Sequence, residues 1–394
     1  FFLMIRRPPR STLSSSSAAS DVYMRLVQCT MIIVGAGIVG ASFAYHAHQK
    51  GVNQITVLSS DLPGDKNQAT TNTWGWVNGY ASNDKSYASF RQANLNYWPE
   101  LINDISNLEH SSKGAFIWDL DEKELHQTIK QHQSWGQSVK ISTKSELQGY
   151  LPNLINSPAL AGFGIDDLAI EGVRATQELL KASESKIIKV NVKELVCENN
   201  MVKGVRTDDE IIYDNEVVIT AGLGTPDLLS TIDIHFEMRS SLGLLAYTNP
   251  LPSLLNHPIT GFDFHARQDD KGRLIIGGRF DDDVSNVQNI KETAEKLVQD
   301  MATRLNYNGK MILDYFTLGS RPLPIDGRPK IGRLVNSKGQ KINGIYLAVM
   351  HSGITNAPLA GKLGIDEVIT GKRNNLIQDF LPQTFNKSEN FQDV

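Results

Sequence analysis

The amino-acid sequence predicts an α/β chain with a second, smaller part built on a mixed or antiparallel sheet, an α+β addition. Three observations carry this. Residues 30–60 read as strand, glycine turn, helix and strand, the order of one βαβ unit. Residues 171–222 read as a helix and four strands, with the runs VKELVCE and KGVRTDD flanking a turn at Glu198-Asn199-Asn200. Residues 236–280 hold three alternating runs, LGLLAYT, FDFHAR and RLIIGGR, each with one face to pack and one to line a pocket.

In chain order, the opening FFLMIRRPPRSTLSSSSAASDVY is rich in Arg and Ser with no acid before Asp21, as in an organellar transit peptide. The string resembles translated sequencing-adaptor sequence more closely, so residues 1–24 are set aside and a native start is expected at Met24 or Met31. Met31 to Val34 is an apolar, β-branched run that suits a buried strand. A helical stretch follows to Lys50, Gly51 stops it, and Gln54 to Leu58 forms the next strand. Residues 70–84, TTNTWGWVNGYASND, have turn composition and no helical period. Helical spacing resumes from Tyr87 to Ile105, where Pro99 predicts a kink or break. Residues 106–160 are charged and loop-rich around one helix candidate, WDLDEKELHQTIKQH. Ile290 to Arg304 has helical spacing; GSRPLPIDGRPKIG, a strand INGIYLAVM and the loop-and-helix HSGITNAPLAGKLGIDEVITG close the chain.

Composition excludes several classes. The 39 Lys and Arg against 43 Asp and Glu, with no long basic run, lack the footprint of a nucleic-acid binder. Cys29 and Cys197 are far apart in sequence, which excludes a disulfide scaffold, a zinc finger and a CxxC pair, and suits a reducing, cytoplasmic setting. The longest apolar stretch, Met31 to Tyr45, is broken by glycines and falls short of the roughly 20 residues that span a bilayer. No metal-ligand spacing is present.

Gly35, Gly37 and Gly40 form GxGxxG at the strand-to-helix turn, the arrangement of a Rossmann-like dinucleotide site. Gly35 permits the tight turn, Gly37 lets a pyrophosphate approach, and Gly40 allows close helix–strand packing. The N–H groups at Ile38 and Val39 then face the phosphates. The second strand ends in Ser59 rather than an acid, with Asp61 two residues on. Asp61 either takes over the ribose contact or caps the turn before Pro63-Gly64.

The chain then returns to a short strand and turn, Val217 to Gly222, and ends in strand, loop and helix from Ile345 to Leu363. With MIIVGAGIVGAS, TTNTWGWVN, VITAGLGTPDLL, GSRPLPIDGRPKIG and HSGITNAPLAG in this order, it resembles the D-amino-acid-oxidase superfamily of FAD-dependent oxidoreductases, relatives of glycine and sarcosine oxidases. The resemblance implies a discontinuous FAD-binding domain of residues 25–105, 160–235 and 318–385. It implies a substrate domain of residues 106–159 and 236–317, and a mobile tail of 386–394. It places Thr70 and Thr71 by the pyrophosphate, Val192 by the adenine and Gly222 near the cofactor. Ser352, Gly353, Ile354 and Thr355 would lie beneath the flavin, and His351 is either a flavin neighbour or a core histidine.

Two departures matter. No cysteine stands around residues 310–330, where some sarcosine oxidases attach FAD, so the resemblance implies non-covalent FAD. Ile275 stands where sarcosine oxidases carry a lysine that promotes reaction with oxygen, so the acceptor is oxygen, a quinone or an electron-transfer protein. The implied chemistry is oxidation of the C–N bond of an amino acid or secondary amine (a D-amino acid, glycine or sarcosine type) by hydride transfer to flavin N5. Candidate pocket residues are Arg321, Arg279, His265, Tyr247 and Trp74, the last three with core packing as the competing role. Arg321 either grips a substrate carboxylate, braces the turn stiffened by Pro322 and Pro324, or pairs with Asp326. A flavin-binding subunit without turnover of its own and a nicotinamide-dependent dehydrogenase remain the other readings.

Overall fold

Apolar residues at 31–34 have no polar face to offer water, and in the computed structural model they form a central strand that is covered on both sides. The structure describes residues 30–80, 82, 84–278, 290–336 and 338–382. The expected leader at 1–24, Cys29, Arg279 and the expected tail at 386–394 lie outside the described residues.

The first sheet takes β1 (Thr30–Val34), β2 (Gln54–Ser59), β7 (Lys186–Lys189), β8 (Val192–Glu198), β9 (Met201–Thr207), β10 (Ile211–Tyr213), β11 (Val217–Ile219), β17 (Lys330–Val335) and β18 (Lys341–Val349). Its centre, in the order β18-β11-β1-β2-β7, is parallel throughout. The second sheet takes β3 (Trp76–Val77), β4 (His110–Ile117), β5 (Val139–Thr143), β6 (Leu160–Ile170), β12 (Met238–Thr248), β13 (Ile259–Thr260), β14 (Phe264–Gln268), β15 (Leu274–Gly278) and β16 (Leu313–Pro324). It is antiparallel except where β13 meets β4.

The βαβ unit forms as expected, with α1 (Ile38–Gln49) between β1 and β2. The turn at Asn199-Asn200 closes a β8–β9 hairpin with both residues at positive φ, 52° and 58°. Helix α2 (Lys85–Asp104) runs through Pro99 without breaking, because Trp98 and Leu101 beside it are wholly buried. Helix α3 (Glu122–Ser134) is capped by Asp121; α4 (Lys144–Tyr150) follows β5 and α5 (Gly172–Ala182) follows β6. Beyond β11 come α6 (Thr225–Ser230), α7 (Ile290–Arg304) and α8 (Gly353–Thr370). The expected boundaries at 160 and 318 fall at the start of β6 and inside β16. Both strands pair in the second sheet, β6 with β4 and β5 and β16 with β12, and β3 joins it through β6.

One core lies between the first sheet and α1, α2, α5 and α8; a second fills the other face of that sheet. A third backs the second sheet against α7. Among the described residues no helix is long and apolar enough to cross a membrane. Trp98 ties core to cavity: it is fully buried and its Nε1–H donates to the Ile354 carbonyl at the start of α8 (3.1 Å). Trp98→Ala should cost about 3–5 kcal/mol of stability through the cavity it leaves. Trp98→Phe should cost less, mainly about 1 kcal/mol for the lost hydrogen bond. Urea denaturation of the two variants checks the order.

Candidate functional site

The two sheets enclose a cavity of about 800 Å³, at the large end of the ordinary ligand-site range of roughly 300–1,000 Å³. Its first wall is the β1–α1 turn. Gly35 has φ +112° and a Cβ there would stand 2.5 Å from the Thr220 carbonyl oxygen, so glycine is required twice over. A Cβ on Gly40 would collide with the Gly35 carbonyl; this residue does not line the cavity but lets α1 lie against the turn. Gly37, Ile38 and Val39 do line it.

Helix α1 has no acid in its first turn and its N-cap, Gly37, has no side chain to cap with. The buried Thr70 hydroxyl accepts the Ile38 N–H from outside the helix (3.2 Å). Helix α8 starts the same way: Ser352 at φ 55° makes no side-chain cap and no acid follows in the first turn. Ser352, Gly353 and Ile354 line the cavity, so two helix N-termini meet there, a setting for negative charge. Thr355 lies behind the lining, accepting from the Asn78 N–H (3.3 Å). Thr71 also turns away, accepting from the Gly64 N–H.

At the end of β2, Ser59 lines the cavity and donates to the Asp61 carbonyl (2.7 Å). The Asp61 carboxylate, also in the lining, accepts from the Ser60 (2.8 Å) and Asn67 (3.2 Å) side chains, and Asp65 accepts from the Leu62 N–H of the turn (2.8 Å). Val192 and Gly222 complete this end. Gln68, which no motif singles out, sits here with its Oε1 buried and without a hydrogen-bond partner. FAD fits this lining: two helix N-termini free of acids suit its phosphates, and the Gln68 oxygen is an acceptor suited to a hydroxyl.

The far wall comes from the second sheet. Arg321 on β16 projects into the cavity opposite Ser241 of β12, and its Nε stands 2.8 Å from where a Gly243 Cβ would be. His265 on β14 fills the equivalent space over Gly277. Glycine inside a strand thus marks each place where a polar side chain needs room. Burial pushes His265 down to about 3, with Arg321 pushing the same way. Burial likewise takes His351 down to about 4, with Arg91 and Arg321 adding to it. Asp326 pairs with Lys330 (2.5 Å). Trp74 lines the cavity, its ring 4.4 Å from that of His265. Tyr247 does not: two residues beyond Leu245 on β12, it passes the rim and stacks on Tyr315 (4.3 Å). Burial pushes its hydroxyl up to about 12.

Two buried cations hold the 74–79 segment in place, and neither stands out in the sequence. Arg91 donates to the Asn78 side chain (2.7 Å) and carbonyl (3.0 Å). Arg267 pairs with Glu171 (2.5 Å) and donates to the Trp74 carbonyl. Gly40→Ala should therefore abolish flavin retention and lower the melting temperature, whereas Gly224→Ala, with ordinary contact to Ala221 only, should keep both. Because both imidazoles are held neutral well below their usual range, His351→Asn should leave the shape of the pH–rate profile between about pH 5 and 8 unchanged.

Residues 30–366 match the model of a family described as DAO, FAD dependent oxidoreductase. The uncharacterized oxidoreductase YurR of Bacillus subtilis (strain 168) is 25% identical over 378 residues, covering 88% of this chain and 96% of its own. One of the opine oxidase subunits of Rhizobium meliloti is 22% identical, over 92% and 100% of the two chains. The crystal structure of glycine oxidase from Bacillus cereus ATCC 14579 shares the fold, with a TM-score of 0.77 at 21% identity over 91% of this chain and 99% of that one. The family match runs from the first described strand into the last long helix, and the chain belongs to the DAO family of FAD-dependent oxidoreductases.

Proposed function

We propose that the protein oxidises the C–N bond of an amino acid or a carboxylate-bearing secondary amine, using FAD held without a covalent bond. The observation that carries this is Arg321, aimed from the second sheet into the cavity beside two histidines that stay uncharged. A guanidinium offers a planar fork that a carboxylate matches with two hydrogen bonds, fixing the Cα–H in one direction. Bound FAD supplies a hydride acceptor at N5; Arg321 binds and orients the substrate, and the Trp74 side of the wall excludes water. The residues near Ser59, Thr70, Val192 and Gly222 would hold the dinucleotide, and those at 351–354 would hold the flavin end. Glycine oxidase, with the same fold, and the opine oxidase chain, in sequence, are relatives whose names fit this chemistry.

Ile275 is buried against Leu245, Tyr247 and Trp74, and Lys193 is the one lysine among the described lining residues, beside Val192 and away from Arg321. That supports a quinone or an electron-transfer protein as acceptor rather than oxygen. A second reading has its own support: the opine oxidase relative is named as one subunit of an enzyme, so this chain could carry flavin within a larger assembly. An anaerobic screen of D-amino acids, glycine, sarcosine and proline-like amines separates them. Bleaching of the flavin by one of these with the chain alone supports the enzyme reading; none bleaching supports the larger assembly.

Acid precipitation should release all the flavin into the supernatant as FAD, and flavin left with the pellet would contradict non-covalent binding. Arg321→Lys should raise KM for the bleaching substrate by about one to two orders of magnitude, the weight of a charge-assisted pair. Its maximal rate of flavin reduction should fall through misorientation while FAD content stays near that of the unaltered protein. Normal turnover, or loss of flavin alone, would show that Arg321 is not the anchor.

A further inference from the structure

The cavity wall beside Arg321 is made of rings. Trp76 and Trp74 lie 5.2 Å apart, and the Trp74 ring lies 4.4 Å from that of His265, so three π-systems run in contact along one side. All three line the cavity, with Leu245 next to them. The indole N–H of Trp76 and the carbonyls of both tryptophans are engaged within the chain. The Trp76 Nε1–H donates to Asp167 (2.9 Å), the Trp76 carbonyl accepts from Thr355, and the Trp74 carbonyl accepts from Arg267. Asp167, the carboxylate behind this wall, is buried behind the indole and also accepts from the Gly79 N–H. The wall therefore offers the faces of two indoles and an imidazole, with the Trp76 N–H turned to Asp167 behind it.

Resting on the carboxylate reading of Arg321, we propose that this wall selects substrates whose α-carboxylate is joined to an uncharged flat or bulky apolar group, on the side chain or on nitrogen. A substrate of glycine size would leave the rings facing water, forfeiting the burial they offer. A cationic group is the competing occupant, since tryptophan faces attract alkylammonium ions. The field of Arg321 opposes it, because the same charge already disfavours a proton on His265 and on His351.

Simple carboxylates test the wall without turnover. The FAD-loaded protein is titrated with acetate, phenylacetate and trimethylammonioacetate, following the change in flavin absorbance. Phenylacetate should bind at least about tenfold tighter than acetate, and trimethylammonioacetate no tighter than acetate. Trp74→Leu and Trp76→Leu should bring the phenylacetate preference below about threefold while changing the acetate affinity by less than about twofold. A preference near one in the unaltered protein, tightest binding of trimethylammonioacetate, or an unchanged preference in both variants would overturn the proposal. Should the variants lose flavin, the three ligands on the unaltered protein decide alone. Arg321→Met separates the two failures. If it weakens acetate and phenylacetate alike but the preference is near one, only the aromatic wall is wrong. If it weakens neither, or no carboxylate perturbs the flavin, the carboxylate anchor itself is wrong and the proposal falls with it.

Discussion

Gly35 lies so close to the Thr220 carbonyl that no side chain fits between them, and the Thr220 hydroxyl donates to the Val34 (2.9 Å) and Gly35 (3.1 Å) carbonyls. That contact joins β1 to the end of β11 at the point where α1 begins. It fixes the direction in which the first turn of α1 presents its N–H groups. Gly40 extends the same constraint by one helical turn, letting the helix lie on the turn that precedes it. Displace this junction and the cavity loses its first wall. The hydrogen bond from Ile38 N–H to Thr70 would go with it.

The second wall is held by buried charge as well as by the close approach of Gly75 to the Ile170 carbonyl. Arg91 and Arg267 are wholly buried, and each is satisfied by carbonyls, amides, a phenol or a carboxylate of the chain. Removing either would strand the groups it binds, which is more costly than the net value of the bonds themselves. Both grip the segment from Trp74 to Asn78. That segment packs against α8 through Thr355, so the ring-lined wall and the helix N-terminus beside it are set by one network. Farther out, Glu367 binds Tyr346 (2.7 Å) and Arg373 (2.6 Å), anchoring the C-terminal half of α8 to β18.

Electrostatics then sort the cavity into two ends. Helix N-termini and a glycine turn line the end that suits phosphates, with Asp61 engaged by its own neighbours. At the other end one guanidinium faces two imidazoles that burial and its own field keep uncharged. Behind this end the Asp167 carboxylate accepts from the indole N–H of Trp76 (2.9 Å). Burial pushes the Asp167 carboxyl up to about 7, against the hydrogen bonds it accepts from Trp76 and Gly79.

Local pattern alone determined the parts whose physics is local. The apolar run at 31–34, GxGxxG and the strand after Gly51 make one βαβ unit, because strand and helix periods and glycine conformations act within a few residues. The Asn199-Asn200 hairpin was legible the same way, whereas Thr70, Gly222, Ser352 and Arg321, which line the cavity, were singled out through family resemblance and not through local pattern. Tertiary structure decided the rest. Pro99 stays within one continuous helix because burial of Trp98 outweighs the lost hydrogen bond. Tyr247 misses the cavity because strand rise, about 3.3 Å per residue, carries it past the rim. Arg91 and Arg267 carry no mark in the sequence, and packing alone encloses them. Strands β6 and β16 join the second sheet because ladder pairing between distant segments, and not alternation within one, selects their partners.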